Sequence, residues 1–381
     1  MNVSLVSYRD LGKDISQPFT TTAHVFHQRG ILERVYTRGV IQTELPDDRI
    51  STHVPVVGRL PFSALYYVDK YLYGFDHRTV STRAVDVILS KKIGNDEADI
   101  HYYDLTFLNK AVSKSSEHKT AVVRGNVPSL HGEIELMSAE LEQSDIDTDI
   151  YQGQVARADR QHATLTEADK IIALSEHVKS SYEDHGVDPE KISVVNNGVN
   201  TDKYSNAVMS PDSGVDVLYV GQLSPRKGIH YLLDAWSEIE RPIDELTLCG
   251  SPQRGFEPVL ESYDFSDIRT PGWVDPVPYY HDATVFVLPS LAEGFAKVIL
   301  EAMSTGTPVV VSENTGGADV IENGKNGFVV PIQDSDAIAD RIQYFQENPE
   351  EAERMGENAR ETAESYTWEK QIDKIIDVLA E

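Results

Sequence analysis

Short apolar segments alternate with amphipathic segments along nearly the whole chain, and this alternation runs through two successive halves. Apolar runs separated by segments of helical periodicity predict parallel β-sheets whose strands are joined by helices. The chain has 381 residues, which is too long for one simple hydrophobic core. The sequence therefore predicts an α/β protein with two similar, doubly wound domains.

The predicted elements also suggest where the domains divide. A polar stretch near residues 199–216 contains Pro211 and Gly214 and predicts a linker, and residues 368–379 predict an amphipathic final helix. We expect domains at 1–200 and 201–365, a closing helix at 366–381, and a ligand cleft at the carboxyl ends of the strands. The predicted strands cover residues 3–7, 32–36, 100–103, 120–124, 170–174, 193–195, 215–220, 246–250, 285–288, 309–311 and 328–330, and the predicted helices cover 21–29, 79–91, 176–184, 229–239, 297–304, 337–346 and 368–379.

The composition narrows the possible partners and compartments. The formal net charge is −28, which argues against nucleic acid as a partner because phosphate binding needs clustered cations. Salt screens such self-repulsion, so we expect a halophilic archaeal source, with an ordinary acidic protein as the alternative. The single cysteine, Cys249, and an N-terminus without a signal-peptide pattern predict a cytoplasmic protein.

One aromatic segment leaves membrane contact open. Residues 60–75 combine tyrosines and phenylalanines with Lys70, a composition found both at membrane interfaces and in buried helices. Peripheral contact with the inner membrane face and packing within the core are therefore alternative interpretations.

Two glutamates eight residues apart follow the predicted strand at 283–288. Glu293 begins the turn Glu293-Gly294-Phe295, where we expect the glycine to supply dihedrals that other residues resist, and Glu301 lies in a helix predicted to begin near Ala296. Eight helical residues rise roughly 12 Å, about the span from the sugar to the ribose of a nucleotide sugar. The carboxylates can then bind the two sugars, with a diphosphate at the helix N-terminus between them. The alternative is a turn cap and an exposed helix residue.

Two cations follow the first strand of the second half. That strand ends at Gly221, and Arg226 and Lys227 precede a helix that starts after Gly228. Two cations and a helix N-terminus at one place can bind a diphosphate. The segment is neither a Walker loop nor a G-x-G-x-x-G fingerprint. Solvated loop cations are the alternative interpretation.

Seven segments carry a family resemblance through their order and spacing. They are VNNGVNTDKY at 195–204, VGQLSPRKG at 220–228, LCG at 248–250, GWV at 272–274, LPSLAEGFAKVILEAMSTGTPVV at 288–310, NTGG at 314–317 and ENGKNGFVVP at 322–331. Residues 195–380 resemble the C-terminal domain of the retaining glycosyltransferases of family 4, which have the GT-B architecture of two Rossmann-like domains facing a cleft. The first half resembles this family only in its strand–helix order and in RGN at 124–126 after a strand.

The resemblance implies a role for each part of the chain. Residues 1–200 would bind the acceptor, 201–365 would bind the nucleotide sugar, and 366–381 would return to the first domain. Members of the family usually need no divalent metal, so we expect no metal or cofactor, and a UDP-, GDP- or ADP-sugar as the donor. The implied catalytic residues are Glu293, Lys227, Arg226 and His131, and the implied donor-site residues are Gly12, Gly221, Gln222, Arg226, Lys227, Val274, Glu293, Gly294, Phe295, Ala296, Lys297 and Glu301.

Within that set, Lys227 would contact the diphosphate and Glu301 the ribose. Glu293 would hold the transferred sugar, helped by the backbone N–H groups of residues 295–297. The main chain at Trp273 and Val274 would flank the base.

Several positions depart from the family pattern or stay open. Gln222 stands where an arginine is common, and the loop after the first strand holds only Gly12 where two glycines are usual. Arg9 and Lys13 in that loop either assist the phosphates or are solvated. His131 is the candidate for a first-domain histidine near the reacting sugar, with a surface histidine as the alternative. Arg124, which directly follows a strand, either points to a ligand or pairs with a carboxylate.

We therefore expect a retaining glycosyltransferase that moves a sugar from a nucleotide donor to an acceptor hydroxyl. Its product would belong to glycan, glycolipid or lipid-linked oligosaccharide assembly. A sugar-nucleotide epimerase on the same fold and a non-catalytic sugar-nucleotide-binding scaffold are the alternatives.

Overall fold

A computed structural model describes residues 1–12, 17–52, 77–93, 97–143, 154–204, 215–239, 245–263 and 267–381. The chain forms two compact units. Unit 1 comprises Met1–Ile134, Tyr151–Val195 and Gln371–Glu381, and unit 2 comprises Glu135–Ile150 and Asn196–Lys370. The predicted domain boundaries at 200 and 365 stay predictions, because a domain is defined by its ability to fold alone.

Unit 1 is built on a parallel sheet of buried strands. Its strands are β1 (Val3–Val6), β2 (Asp10–Leu11), β3 (Leu32–Thr37), β4 (Gly39–Val40), β5 (Ile50–Thr52), β6 (Ile100–Tyr103), β7 (Thr120–Gly125), β8 (Lys170–Ala173) and β9 (Ile192–Val194). Its helices are α1 (Gln17–Gln28), α2 (His77–Lys92), α3 (Asn109–Ser116), α4 (Leu130–Gln143), α5 (Val155–Glu167) and α6 (Glu176–Glu183), of which α4 continues into unit 2 from Glu135 onward. The order across the sheet is β5-β3-β1-β6-β7-β8-β9, and β2 and β4 form a separate parallel pair.

Unit 2 is built on a second parallel sheet, again of short apolar strands. Its strands are β10 (Asp216–Val220), β11 (Glu245–Cys249), β12 (Ile268–Arg269), β13 (Val285–Leu288), β14 (Val309–Ser312) and β15 (Gly327–Val330). Its helices are α7 (Ile229–Glu238), α8 (Glu257–Leu260), α9 (Val277–Asp282), α10 (Lys297–Ser304), α11 (Ser335–Glu347) and α12 (Pro349–Glu364). The strand order is β12-β11-β10-β13-β14-β15, and strands buried on both faces are typical of parallel sheets covered by helices.

Each sheet reverses its order of strand addition once. In unit 1 the chain places β3 and β5 on one side of β1 and β6 to β9 on the other side. In unit 2 it places β11 and β12 on one side of β10 and β13 to β15 on the other. Doubly wound sheets bind ligands outside the carboxyl ends of the strands at such switch points. The ends of β1 and β6, and those of β10 and β13, are therefore the expected binding places.

The last helix, α13 (Trp368–Ala380), is amphipathic as predicted. Its buried face carries Trp368, Ile372 and Ile375. From Gln371 onward the helix is part of unit 1, where Lys170 Nζ donates a hydrogen bond to the Val378 carbonyl at 3.1 Å.

The parallel α/β class and the predicted strands and helices are confirmed within a few residues at their ends. The elements that the periodicity did not predict are β2, β4, β5, β12, α3, α4, α5, α8, α9 and α12. Residues 60–75, together with Lys13, Pro211 and Gly214, lie outside the described residues. Among the residues the structure does describe, no helix combines the length and the apolar character needed to cross a bilayer.

Candidate functional site

The loop after β10 packs closely against the loop after β13, and the contact is made at Gly228. Pro225–Lys227 form a single 3₁₀ turn, and Gly228 follows with a φ of 63°. A Cβ atom on residue 228 would lie only 2.0 Å from the Pro289 carbonyl oxygen. Nearby, the Leu291 N–H donates to the Arg226 carbonyl at 2.9 Å. Only glycine fits here, and this contact brings the two loops of the switch point together.

We expect Gly228→Ala to lower the free energy of unfolding of the chain by about 3 kcal/mol, because left-handed strain adds to a steric clash with backbone. Gly324→Ala is the matched control. Gly324 has a φ of 74°, but a Cβ there would meet no atom of the described residues within 4 Å. The control should cost only about 1 kcal/mol for the left-handed conformation. Urea unfolding at one fixed salt concentration measures both, and equal losses would show that the Pro289 contact is unimportant.

Arg226, Lys227 and Glu293 form one charged cluster at this switch point. Arg226 Nη1 donates to the Ala292 carbonyl at 2.7 Å and to Glu293 Oε2 at 3.1 Å. Lys227 Nζ donates to the same Glu293 oxygen, and both Lys227 and Glu293 are mostly buried. Two cations share one carboxylate, so the cluster carries a net charge of +1 when all three groups are ionised. An excess positive charge at the strand ends favours an anionic ligand.

The two cations keep Glu293 ionised. Burial by itself would raise the pKa of Glu293, but the positive charges of Lys227 and Arg226 outweigh it and lower that pKa to about 2. A carboxylate with this pKa cannot donate a proton near neutral pH. Glu293 can therefore serve as a negative charge and a hydrogen-bond acceptor, but not as a general acid.

The turn that carries Glu293 is held by asparagines that the sequence motifs did not single out. The Glu293 N–H donates to the Asn314 carbonyl at 3.1 Å, and Asn314 Nδ2 donates to the Leu291 carbonyl at 3.1 Å. Buried Asn197 approaches the Phe295 carbonyl with its Nδ2 at 3.4 Å. Both belong to the quoted segments VNNGVNTDKY and NTGG, so their place in the motifs was the available signal.

Two expectations about this turn are wrong. Gly294 is not among the described glycines with a positive φ, so special dihedrals do not explain the glycine there. The predicted helix start near Ala296 is confirmed, because α10 begins at Lys297 with Ala296 as its N-cap, but the expectation of eight helical residues between the two glutamates is wrong. Only the step from Lys297 to Glu301 is helical and rises about 6 Å, so the span of roughly 12 Å cannot be assigned to helix alone.

Glu301 is held by tyrosines. Tyr280 Oη donates to Glu301 Oε2 at 3.1 Å, and the Tyr204 hydroxyl also bonds this carboxylate. Burial, and then the charge of Glu301, raise the pKa of both phenols, so both stay protonated and donate. The carboxylate is thus oriented from one side, and its remaining lone pairs can accept from a ligand hydroxyl. No spacing in the sequence linked these tyrosines to Glu301.

The other predicted donor residues of unit 2 lie at the same edge of the sheet. Gly221 directly follows β10, where its carbonyl oxygen would lie 1.7 Å from a Cβ on Gly250. Gln222 is exposed, and its carbonyl accepts from Tyr219 Oη at 2.7 Å. Trp273 and Val274 occupy the loop between β12 and α9, with the Trp273 side chain largely exposed.

Gly12 and His131 belong to unit 1. A Cβ on Gly12 would lie 1.8 Å from the Gln42 carbonyl oxygen, and the Gly12 N–H donates to Thr20 Oγ1 at 3.0 Å. These contacts provide a packing reason for this glycine. His131 lies at the start of α4, with Nε2 at 3.1 Å from Asp159 Oδ1. Its ring stacks on His185 with centroids 6.1 Å apart.

No group of three or more His, Cys, Asp or Glu side chains is arranged to hold a metal ion in the ranges that the structure describes. The expectation that donor binding requires no metal stays a prediction.

Comparison with known proteins finds similarity to two family models, mainly in the second half of the chain. Residues 200–362 match the family model of glycosyl transferases group 1. Residues 129–203 match the model of Glycosyltransferase Family 4, so the two matches overlap at residues 200–203, near the end of the VNNGVNTDKY segment. The segment that matches the group 1 model contains the whole Arg226–Lys227–Glu293 cluster and Glu301.

Similar proteins extend this result to the fold. The chain is 29% identical over 231 residues to D-inositol 3-phosphate glycosyltransferase of Streptomyces scabiei, and this alignment spans 53% of the chain but only 51% of that protein. Anabaena HepE in complex with UDP and glucose has a TM-score of 0.68 at 17% identity, over 100% of this chain and 99% of that one. WaaG, a glycosyltransferase involved in lipopolysaccharide biosynthesis, has the same TM-score and identity over 99% of both chains. The predicted GT-B architecture, with two Rossmann-like sheets, is confirmed.

Proposed function

We propose that this chain is a retaining glycosyltransferase that transfers a sugar from a nucleoside diphosphate sugar to an acceptor hydroxyl in glycan or lipid-linked glycan assembly. The observation that carries the proposal is the convergence of Lys227 and Arg226 on Glu293 at the switch point of unit 2. A solved relative of the same fold binds UDP and glucose, which supports a nucleotide sugar as the donor here.

The cluster suits the departure of a diphosphate. In the transition state the bond between the anomeric carbon and the phosphate oxygen breaks, and negative charge grows on the leaving diphosphate. Lys227 and Arg226 stabilise this charge from fixed positions, which is the most effective kind of electrostatic catalysis. Glu293 accepts hydrogen bonds from sugar hydroxyls and balances the positive charge that develops on the ring.

Retention of the anomeric configuration requires that the new bond forms on the face of the sugar ring from which the leaving group departs. The acceptor oxygen attacks the anomeric carbon on that face, and its proton passes to an oxygen of the leaving diphosphate. Glu293 has no proton to donate because it is already ionised. The proposed mechanism therefore assigns the proton of the acceptor to the leaving diphosphate and not to Glu293. Determining the anomeric configuration of the product by NMR tests this step, and an inverted product would refute the retaining mechanism.

A ligand screen tests the donor assignment. Thermal unfolding would be followed with UDP, GDP and ADP and with their common sugar conjugates, in molar KCl and in low salt. We expect one nucleotide to raise the unfolding temperature selectively, because a ligand that binds only the folded state stabilises it by mass action. A folded chain that responds to no diphosphate would refute donor binding. We also expect greater stability in KCl, in keeping with a halophilic source and a net charge of −28.

The contact between Tyr280 and Glu301 leads to a prediction about donor affinity. We expect Glu301→Gln to raise the KM for the donor about tenfold with little change in kcat, because a lost charged hydrogen bond to a hydroxyl weakens ground-state and transition-state binding alike. Tyr280→Phe should give a smaller rise of the same kind. Steady-state kinetics with varied donor measures both, and a fall in kcat without a change in KM would contradict a ribose-binding role.

A further inference from the structure

The switch point of unit 1 carries a cluster of two cations and one carboxylate, as the cluster in unit 2 does. Arg9 follows β1, Asp104 directly follows β6, and Arg124 lies in β7 near its carboxyl end. Arg9 Nη1 is 3.7 Å and Arg124 Nη1 is 3.8 Å from the carboxylate of Asp104. Two cations and one carboxylate again give a net charge of +1 at the place where a doubly wound sheet binds ligands.

This cluster is buried and incompletely bonded. The side chains of Asp104 and Arg124 are each only 2% exposed. Asp104 Oδ2 makes no hydrogen bond within the described part of the chain, since Arg9 Nη1 at 3.7 Å is too distant to donate to it. Arg124 Nη1 is likewise 3.8 Å from Oδ1, and the Ser7 side chain also bonds this carboxylate. Burial raises the pKa of Asp104, against the opposing charges of Arg9 and Arg124. A buried carboxylate held mainly by charge is costly for folding alone, which favours a functional reason for it.

Arg9 is the member that a ligand can reach. Its side chain is 28% exposed, whereas its main chain is fixed: its carbonyl accepts from Thr37 Oγ1 at 2.6 Å and from the Arg38 N–H at 3.1 Å. The adjacent pairing of β2 with β4 holds the same loop. Arg9 therefore combines a fixed backbone with a partly exposed side chain next to the Asp104 carboxylate. Such an arginine is a prepared receptor for an oxyanion, because the five guanidinium donors match phosphate geometry.

We infer that Arg9, supported by Asp104 and Arg124, binds a phosphate group carried by the acceptor substrate. The binding of phosphate follows from the cluster alone, whereas its assignment to the acceptor rests on the proposed transferase function. Arg9 contacts the phosphate, and Asp104 and Arg124 are positioning residues that hold its guanidinium at the strand ends. The phosphate belongs either to a soluble sugar or polyol phosphate or to a lipid headgroup.

Calorimetric titration of the full chain with glucose 6-phosphate, and with glucose as the uncharged comparison, tests the inference. We expect Arg9→Gln to weaken glucose 6-phosphate binding about ten- to a hundredfold, the usual loss for a charge-assisted hydrogen bond, and Arg9→Lys to weaken it less. Arg29→Gln is the matched control. Arg29 pairs with Asp373 at 2.8 Å just beyond α1, at the opposite edge of the sheet, so this variant should bind as the wild type does. Thermal unfolding of each variant shows that it is folded.

Two further experiments distinguish a lipid phosphate from a soluble one, and the site in unit 1 from the donor site in unit 2. Sedimentation with phosphatidylcholine vesicles, with and without phosphatidic acid, reports a lipid phosphate, and binding that Arg9→Gln abolishes supports the inference in its lipid form. Lys227→Ala should retain phosphate binding, which distinguishes unit 1 from the donor site even if no nucleotide binds the wild type. Any UDP binding that the wild type shows should be lost in this variant. The inference is overturned if neither probe depends on Arg9, or if Arg9→Gln weakens UDP as much as glucose 6-phosphate.

Discussion

Replacing Lys227 by alanine is expected to lower kcat about a thousandfold at saturating donor, the loss typical when a fixed donor to a developing negative charge is removed. Lys227 Nζ is mostly buried and held on Glu293, so water cannot supply an equivalent charge. Arg226 remains in the variant but is anchored to the Ala292 carbonyl, which limits how far it can compensate. Initial rates of nucleoside diphosphate release in the presence of acceptor measure the effect.

The control for this variant is Lys325→Ala. Lys325 is an exposed lysine of the same unit that pairs with Glu322 at 2.9 Å, and its loss changes the net charge equally. Normal rates are expected for it, as surface pairs contribute little. A Lys227→Ala enzyme that works within a fewfold of the wild-type rate would remove Lys227 from the mechanism.

Replacing Glu293 by glutamine is expected to lower kcat about a hundredfold or more while UDP binds at least as tightly as before. The variant keeps the shape of the side chain but raises the local charge from +1 to +2. The higher charge attracts a diphosphate, and the neutral glutamine no longer balances the positive charge on the sugar ring. Opposite effects on rate and on UDP affinity distinguish a sugar-binding carboxylate from a structural one. Equal losses in both would indicate that Glu293 merely organises Lys227 and Arg226.

The pH dependence of this variant follows from the depressed pKa of Glu293. The wild-type carboxylate is ionised well above its pKa of about 2, so the ratio of the two rates should stay constant from about pH 5 to about pH 9. Because the pKa in the folded state lies below the ordinary glutamate value of 4.5, ionised Glu293 stabilises the folded state above that pH. The stabilisation is lost as the pH falls towards about 2. Acid titration of stability for wild type and Glu293→Gln would detect this difference, with Glu322→Gln as the exposed control.

The parts of the fold that followed from the sequence are those with strong local patterns. The strands that were predicted are short apolar runs, and buried parallel strands retain that signal without tertiary context. The missed edge strands β5 and β12 have only three and two residues and include polar side chains. The helices that the sequence did not predict lack a strong apolar periodicity, for identifiable reasons. Helix α12 begins with proline at Pro349 and buries mainly alanines, so its apolar face is weak. Helix α5 buries Gln161 and Thr164, polar residues whose hydrogen bonds are invisible in periodicity.

The candidate site divides in the same way. Lys227 and Glu293 each lie in an unbroken motif that follows a predicted strand. Their proximity could be expected because the two strands border one switch point. Asp104 is a single carboxylate after a strand, with no motif around it, and its partners Arg9 and Arg124 are distant in sequence. The available signal was its position at a strand end. Such clusters depend on strand order, which the linear sequence does not state.

The chain path through unit 1 also has a consequence for its biosynthesis. Unit 1 is discontinuous, and its segment Gln371–Glu381 follows all of unit 2 in the sequence. Nascent domains generally fold in order as they leave the ribosome, but this unit must wait for residues that are translated after unit 2. Until then Lys170 lacks the Val378 carbonyl and Arg29 lacks Asp373. Premature termination within α13 would therefore leave unit 1 incomplete, although most of this unit is translated before unit 2.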